Sequence, residues 1–184
     1  SAYWVVCFAT GSPDVATTSA DYLKFNCATR SAAGIGGAVK TVSGPVKKIA
    51  NFDFNGDGLA DFGTQVPGQG WRVCLSSGDG EFANRGADGE CPVWAGPSGS
   101  ADRTVAGDFN GDGRTDLATY VTGIGAHWEI CPSSGTGFLP CTTPPTAIPE
   151  PANCGSTGGC FEALIGDFDG NGKSDLLVNG LGAS

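Results

Sequence analysis

Oxygen-bearing side chains recur at fixed spacing in a nine-residue loop that occurs three times in the chain. Position 1 is Asp, position 3 is Asn or Asp, position 5 is Asp or Asn, position 9 is Asp, and glycines fill positions 4 and 6. Side-chain oxygens at alternate positions can converge on one hard cation, a main-chain carbonyl near position 7 can join them, and glycine permits the tight turn. The predicted ligands are Asp53, Asn55, Asp57, Leu59 and Asp61; Asp108, Asn110, Asp112, Arg114 and Asp116; and Asp167, Asp169, Asn171, Lys173 and Asp175.

The cation that best fits this loop is Ca²⁺, because several oxygens from a flexible loop suit it better than Mg²⁺. The first five positions resemble the start of an EF-hand loop, but an Asp at position 9 stands where an EF-hand continues to a Glu at position 12. Ordinary Asp- and Gly-rich turns have a similar composition. Three copies in one register favour the cation site, so we predict about three Ca²⁺ per chain, one for each loop.

The composition predicts an all-β protein. The 184 residues include 31 glycines, only 16% are charged, and no helical periodicity persists, which favours short strands joined by turns. The formal net charge is −9, and nine of the 19 acidic residues lie in the three loops, so cation sites explain much of the acidity. There is no basic stripe for nucleic acid, and no apolar run is long enough for a membrane span.

The eight cysteines indicate an oxidising compartment and therefore a secreted, extracellular protein. None forms a CxxC pair, so structural zinc is not expected. The chain starts at Ser1 and contains no Met, which suggests a mature, processed form or a portion of something longer.

The loops also mark a repeat, because Asp53 and Asp108 are 55 residues apart and Asp108 and Asp167 are 59 apart. Strands are predicted before each loop at 46–52, 103–107 and 161–166, and after each loop at 62–66, 117–121 and 176–179. A Trp-x-Val/Ile-Cys signature then follows at Trp71 and Trp128 and predicts third and fourth strands. The register of the repeat pairs Cys74 with Cys91 and Cys131 with Cys141 across these hairpins.

Residues 46–180 resemble the FG-GAP or VCBS-type repeat family, the blades of integrin-like β-propellers, through segments 49–53, 105–109 and 164–168 together with the loops. The resemblance implies that the loops bind Ca²⁺ and that the propeller serves adhesion, carbohydrate contact or protein contact. The expected fold is a single repeat domain, 1–184, of three four-stranded propeller-like blades. Blade 1 spans 46–97, blade 2 spans 103–141, a Pro-rich loop spans 142–160, and the first half of blade 3 spans 161–184.

The third unit lacks its third and fourth strands, and the missing signature occurs at the other end of the chain. Trp4 and Cys7 match the signature, and Cys27 follows as the pairing partner. Residues 1–27 are therefore predicted to form a hairpin that completes the last blade, either in the same chain or in the next molecule. Three blades are fewer than the usual four to eight, and a head-to-tail contact that does not close gives a filament. A piece of a longer propeller is the third alternative.

The predicted assembly contact is strand addition at an open sheet edge. It involves Tyr3, Trp4, Val5, Val6 and Phe8 of the hairpin and Leu177 and Val178 of the last unit. The remaining cysteines, Cys154 and Cys160, are predicted to staple the Pro-rich loop. The Thr- and Pro-rich start of that loop is compatible with O-glycosylation.

The aromatic and histidine side chains offer little chemistry beyond packing. Trp4, Trp71 and Trp128 recur at one position of the repeat and are predicted to pack between blades, although tryptophan faces can also stack on sugars. His127, the only histidine, has no nucleophile motif with it and is expected to be structural. Carboxylates held ionised by Ca²⁺ are poor general acids, so we expect no enzymatic activity.

Together these features predict a secreted, Ca²⁺-binding, disulfide-stabilised structural protein. The predicted role is a self-assembling subunit of an extracellular filament, whose partners are copies of itself. The alternative is a lectin- or adhesin-like propeller module that binds carbohydrate or protein, or a fragment of a larger secreted propeller protein.

Overall fold

The computed structural model of the chain describes residues 3–9, 25–31, 52–99, 103–145, 148 and 163–178, with the backbone alone for the first two ranges. Within these ranges the regular elements are all strands. They are β1 (Tyr3–Ala9), β2 (Phe25–Ser31), β3 (Phe62–Val66), β4 (Gly70–Cys74), β5 (Val93–Trp94), β6 (Thr104–Gly107), β7 (Asp116–Val121), β8 (His127–Cys131), β9 (Ala163–Gly166) and β10 (Asp175–Val178).

The described strands pair into small antiparallel sheets of consecutive strands. Two sheets have three strands, β3-β4-β5 and β6-β7-β8, and two have two strands, β1-β2 and β9-β10. The prediction of an all-β fold is therefore confirmed. No helix in the described ranges has the length and apolar character needed to cross a membrane.

Three of the units follow one plan, and we name them repeat 1 (52–99), repeat 2 (103–145) and repeat 3 (163–178). In each, a nine-residue acidic loop connects the first pair of strand segments. In repeat 1 the first segment is reduced, among described residues, to a bridge between Phe52 and Asp61, since 46–51 lie outside the description. In repeat 2 the fourth segment is also a single bridge, between Ile130 and Thr142, one residue beyond the boundary predicted for blade 2.

Disulfides close the outer hairpins of repeats 1 and 2. Cys74 is bonded to Cys91 with a Cα–Cα distance of 5.2 Å, and Cys131 to Cys141 with a Cα–Cα distance of 4.1 Å. Both bonds join the cysteines that the repeat register pairs. The predicted Cys154–Cys160 pair and the rest of segment 149–162 lie outside the described residues.

The hairpin β1-β2 repeats the strand register of these outer hairpins. Its backbone places Cys7 directly opposite Cys27 and Trp4 opposite Arg30. In repeat 1 the tryptophan three residues before the cysteine is likewise paired with the residue three beyond the partner cysteine, because Trp71 faces Trp94.

Apolar side chains form two cores, each lying between consecutive repeats. The first contains Phe54, Trp71, Val73 and Trp94 of repeat 1 with Leu117 of repeat 2. The second contains Val105, Ala118, Tyr120 and Trp128 of repeat 2 with Ala163 of repeat 3. Because strand residues alternate between faces, β7 supplies Leu117 to one core and Ala118 to the other. Repeat 2 is thus covered on both faces.

Candidate metal-binding loops

The aspartate at position 1 shapes each loop by accepting main-chain N–H groups from the turn that follows it. Asp53 accepts from Gly56 at 2.7 Å and Asp57 at 3.1 Å through Oδ1, and from Gly58 at 2.9 Å through Oδ2. Asp108 and Asp167 accept from the same three positions of their loops at distances between 2.7 and 3.1 Å. The three loops therefore share one backbone conformation.

The oxygens at positions 3 and 5 extend this network. At position 3, Asn55, Asn110 and Asp169 each accept from the N–H two residues on, at 3.2, 2.8 and 3.1 Å. At position 5, Asp57, Asp112 and Asn171 accept from the N–H of position 7 at 2.8, 2.9 and 2.8 Å. Asn and Asp exchange places between the loops without altering the pattern, since either side chain supplies the accepting oxygen.

The aspartate at position 9 ties the loop to the rest of its repeat. Asp61 accepts from Phe54 at 2.8 Å and from Ser76 at 2.8 Å, one bond to each oxygen. Asp116 does the same with Phe109 at 3.0 Å and Ser133 at 2.8 Å. Asp61 is 5% exposed and Asp116 is fully buried. A carboxylate oxygen has two acceptor sites, so one on each oxygen remains for a cation.

Burial sets the titration of these two aspartates. Desolvation by burial raises the pKa of Asp61 and of Asp116, and the carboxylates at positions 5 and 1 of the same loop add to the rise. The main-chain N–H donors oppose that rise without cancelling it. A cation in the loop would favour the ionised form of both groups, since an opposite charge nearby lowers a carboxyl pKa.

Two other loop aspartates are held in the ionised form. The Gly172 N–H, with those of Gly170 and Asn171, lowers the pKa of the exposed Asp167. Slight burial disfavours ionisation of Asp112, but hydrogen bonds from the Arg114 N–H and the Asn110 amide, together with the Arg114 charge, lower its pKa overall. These groups are available as anionic ligands at neutral pH.

The loop of repeat 3 brings three carboxylates together. One oxygen from each of Asp167, Asp169 and Asp175 lies within 4.8 Å of the others, so this exposed triad could hold a metal ion. It is the one cluster of three acidic, cysteine or histidine side chains that meets this distance in the described part of the chain. The other two loops also have three carboxylates, but their third is at position 5, and position 3 is an Asn that supplies an amide oxygen. An all-oxygen donor set suits a hard cation.

The loops of neighbouring repeats are bonded directly to each other. The main chain of Asp53 receives the Thr115 N–H at 2.7 Å on its carbonyl and donates its own N–H to the Thr115 hydroxyl at 2.9 Å. Asp108 makes the same pair of bonds with Ser174, at 2.7 and 3.0 Å. Position 1 of one loop is thus joined to position 8 of the next, and we call each such contact a junction.

Positions 4 and 7 complete each junction. A Cβ added to Gly56 would lie 3.1 Å from Cγ of Arg114, and one added to Gly111 would lie 3.2 Å from Cγ of Lys173. Both glycines also have positive φ, 77° and 82°. The glycine is therefore required by its backbone and by the side chain that the next repeat lays over it.

The sequence predicted the loop positions but missed the junctions. The sequence pattern predicts a carbonyl ligand at position 7 and no role for position 8. In the structure the side chains at both positions contact the preceding repeat, through Arg114, Lys173, Thr115 and Ser174. The available signal was the hydroxyl at position 8 in loops 2 and 3, against Ala60 in loop 1.

The tryptophans of repeats 1 and 2 pack in the cores. Trp71 is 5% exposed, Trp94 is 6% and Trp128 is 2%. The predicted core role is confirmed for Trp71 and Trp128, and these buried faces are closed to sugars. The side chain of Trp4 lies outside the described residues, as do those of Tyr3, Val5, Val6 and Phe8.

His127 and the predicted assembly residues of repeat 3 have distinct settings. His127 Nδ1 lies 2.7 Å from the Gly125 carbonyl oxygen, a local bond at the start of β8. Leu177 is 53% exposed, whereas Val178 packs against the second core.

A comparison with known protein families finds one repeat family that matches the part of the chain containing loops 1 and 2. Residues 53–119 match the sequence profile of the FG-GAP-like repeat family, which confirms the resemblance over those residues. The matched stretch begins at position 1 of loop 1 and runs through loop 2 into β7. No curated protein matches the chain significantly, and no solved structure does.

Proposed function

We propose that this chain is a secreted, Ca²⁺-binding structural protein without enzymatic activity, and that its repeats are propeller-like blades that assemble into an extracellular filament. The observation that carries the assembly proposal is the register of β1-β2. This hairpin has the cysteine and tryptophan pairing of the outer strands of repeat 1, while repeat 3 is described with only its first two strands.

Ca²⁺ is the proposed cation, with one ion in each loop. The side chains at positions 1, 3, 5 and 9 would hold it, with the carbonyls of Leu59, Arg114 and Lys173 as further ligands. Three facts support this assignment. The donors are all oxygen, the three loops share one hydrogen-bond pattern, and two buried aspartates have raised pKa values that a cation would offset. The ion would neutralise the clustered carboxylates and fix the turn.

The location outside the cell is supported by the disulfides. Cys74–Cys91 and Cys131–Cys141 fit an oxidising environment, where such bonds persist. They close the outer hairpins of repeats 1 and 2.

Assembly would proceed by strand addition. The hairpin β1-β2 of one molecule would supply the third and fourth strands to the β9-β10 sheet of the next, so that the last blade is shared between copies. The contact is head-to-tail, and repeated copies would extend as a filament unless they close into a ring. Partners are therefore copies of the same chain, and the Thr- and Pro-rich loop is the proposed site of O-glycans.

Electron microscopy and sedimentation with and without a chelator test this proposal. Filaments in Ca²⁺ that shorten or disappear with chelator would support it. A full-length chain carrying Val5→Pro should lose assembly, because proline in the middle of β1 removes a ladder hydrogen bond. A chain that stays monomeric at high concentration in Ca²⁺ would refute the filament.

Calorimetry tests the cation sites. Titration should give about three Ca²⁺ per chain, one for each loop, and Asp57→Ala or Asp112→Ala should each remove one. Absence of binding would refute the assignment. The competing lectin-like function would appear as glycan binding by the monomer, but the burial of Trp71, Trp94 and Trp128 gives it no stacking platform there.

A further inference from the structure

The internal junctions show which groups a repeat presents to its neighbours on either side. At each junction the position-8 N–H of the following repeat donates to the position-1 carbonyl of the preceding repeat. The position-7 side chain of the following repeat lies over the position-4 glycine of the preceding one. The following repeat also contributes a serine and a phenylalanine from the turn after its third strand. Ser133 Oγ donates to the Phe54 carbonyl at 2.6 Å, and the Phe138 ring meets the Phe54 ring edge-on at 5.6 Å.

Repeat 3 has the groups with which a preceding repeat enters a junction, at positions 1, 2 and 4 of its loop, and no described neighbour lies against them. Phe168 corresponds to the fully buried Phe54, yet it is 61% exposed. Leu164 and Leu177, paired across β9 and β10, are 59% and 53% exposed. Within the described ranges, a Cβ added to Gly170 would meet nothing within 4 Å, unlike those at Gly56 and Gly111. We call this surface the end face.

The end face exposes apolar side chains at positions that are covered by the next repeat in repeat 2. Ile165 and Leu176 pack toward repeat 2 in the second core, so Leu164 and Leu177, their strand neighbours, point to the opposite side. The equivalent residues of repeat 2, Val105 and Ala118, are buried by repeat 3.

Repeat 1 has the groups with which a following repeat enters a junction, at positions 7 and 8 of its loop, and these also have no described neighbour. Leu59 and Ala60 occupy positions 7 and 8 and are exposed, whereas Thr115 and Ser174 are half-buried in junctions. Leu59 Cδ1 would lie 3.4 Å from a Cβ at Gly78, as Arg114 Cδ lies 3.6 Å from one at Gly135, so the two side chains take equivalent paths.

The turn after the third strand in repeat 1 also keeps the junction groups. Ser76 bridges to Phe82 as Ser133 bridges to Phe138. Ser76 Oγ accepts from the Gly78 N–H at 3.3 Å, and Ser133 Oγ accepts from the Gly135 N–H at 3.1 Å. Position 7, charged at both internal junctions, is the apolar Leu59 on this side of repeat 1.

We propose that the end face of repeat 3 binds repeat 1 of a second copy of this chain. The second copy then takes the place of a fourth repeat, and the contact has the geometry of the internal junctions. In this contact Phe168 packs against Phe82 of the second copy, the Ser76 hydroxyl of that copy donates to the Phe168 carbonyl, and Leu59 covers Gly170. The inference rests on the proposed filament, to which it adds a face-to-face contact beside the strand addition.

Substitutions in the full-length chain test the contact by sedimentation velocity and electron microscopy in Ca²⁺. Leu164→Asp should weaken self-association at least about tenfold, since it places an unpaired charge in an apolar interface. Ala60→Ser should strengthen self-association, because it restores the hydroxyl present at the internal junctions. Ile124→Asp, at another exposed apolar residue, is the matched control and should assemble normally.

Val5→Pro separates this contact from strand addition. If Val5→Pro abolishes assembly while Leu164→Asp and Ala60→Ser leave it unchanged, strand addition alone joins the copies and the end-face contact is wrong. If Leu164→Asp abolishes assembly and Val5→Pro does not, the end-face contact stands and strand addition is wrong. Wild-type protein that never self-associates overturns both. Unchanged tryptophan fluorescence and Ca²⁺ stoichiometry in Leu164→Asp ensure that lost assembly reflects the interface and not unfolding.

Discussion

Two of the three position-9 aspartates, Asp61 and Asp116, carry buried carboxyl groups. Both carboxyl groups are bonded to main-chain donors, and burial raises the pKa of each. Two N–H bonds per carboxylate satisfy part of its acceptor capacity. A cation bound in the loop would offset the cost of burying these carboxylates.

The affinity for Ca²⁺ should fall as the pH is lowered from neutral into the acidic range. Because the folded pKa values of Asp61 and Asp116 are raised, protons compete with the cation, and binding should release protons as the pH falls through those values. Without Ca²⁺, these two carboxyls instead make the folded state less stable as the pH rises. The stability contribution of these carboxyls is complete below the unfolded pKa and is lost as the pH rises through the folded pKa.

Calorimetry in two buffers of different ionisation enthalpy would count the released protons. Asp116→Asn should remove the share of loop 2 and leave that of loop 1. An affinity that does not change with pH, with no proton release, would contradict the role given to these aspartates.

Of positions 3 and 5, loops 1 and 2 carry the charged residue at position 5, whereas loop 3 carries it at position 3. Asp169→Asn should weaken the site of repeat 3 by about tenfold, because it takes one carboxylate from the triad and ligand charge tunes Ca²⁺ affinity. The double variant Asp169→Asn/Asn171→Asp recreates the arrangement of loops 1 and 2 and should recover most of the affinity. Calorimetry measures both, and equal affinities for the two variants would count against a ligand role for position 5.

The positions of these oxygens could be predicted from the sequence because they repeat at fixed spacing. Their environments could not be. Asp61 and Asp175 occupy the same loop position, yet Asp61 is buried and Asp175 only half-buried. Asp61 accepts an N–H from Ser76, in the turn after the third strand of its own repeat, whereas repeat 3 is described only as far as its second strand. The local sequence of the loop carries no sign of this contact.

Each repeat is an antiparallel meander whose strand order follows chain order. The described strands that flank the loops lie close to their predicted bounds, since β3 coincides with 62–66 and β7 begins one residue before the predicted 117. The strand predicted at 46–52 lies outside the described residues except for Phe52. The fourth strand was harder to place. It is β5 in repeat 1, where the paired cysteines have a sequence separation of 17, and a single bridge in repeat 2, where the separation is ten.

The junction hydroxyls should stabilise the stacking of one repeat on the next. Thr115→Val keeps the shape of the side chain but leaves the Asp53 N–H without its acceptor, so the free energy of unfolding should fall by about 1 kcal/mol. Urea denaturation measures the change. Thr143→Val, at an exposed threonine outside the loops, is the control and should have little effect; an equal loss in both variants would remove the special role of the junction.

At the scale of the whole molecule, the two cores and the two junctions of the described ranges each join repeats that are consecutive in the sequence. Local stability in repeat arrays depends on how many faces of a unit are covered. Repeat 2 is covered on both sides and contains the fully buried stretch Asp116, Leu117, Ala118 and Thr119. Repeat 3 is covered on one side and exposes Leu164, Phe168 and Leu177 on the other.

Amide hydrogen exchange should therefore rank the strands by their place in the array. In monomeric protein, β7 should exchange most slowly among the described strands and β9-β10 markedly faster, because opening repeat 3 breaks one interface while opening repeat 2 breaks two. Assembly in Ca²⁺ should slow β9-β10 far more than β7, since strand addition and the end-face contact both cover repeat 3. If assembled protein protects β7 and β9-β10 to the same degree as the monomer, then filaments are joined through a surface other than repeat 3.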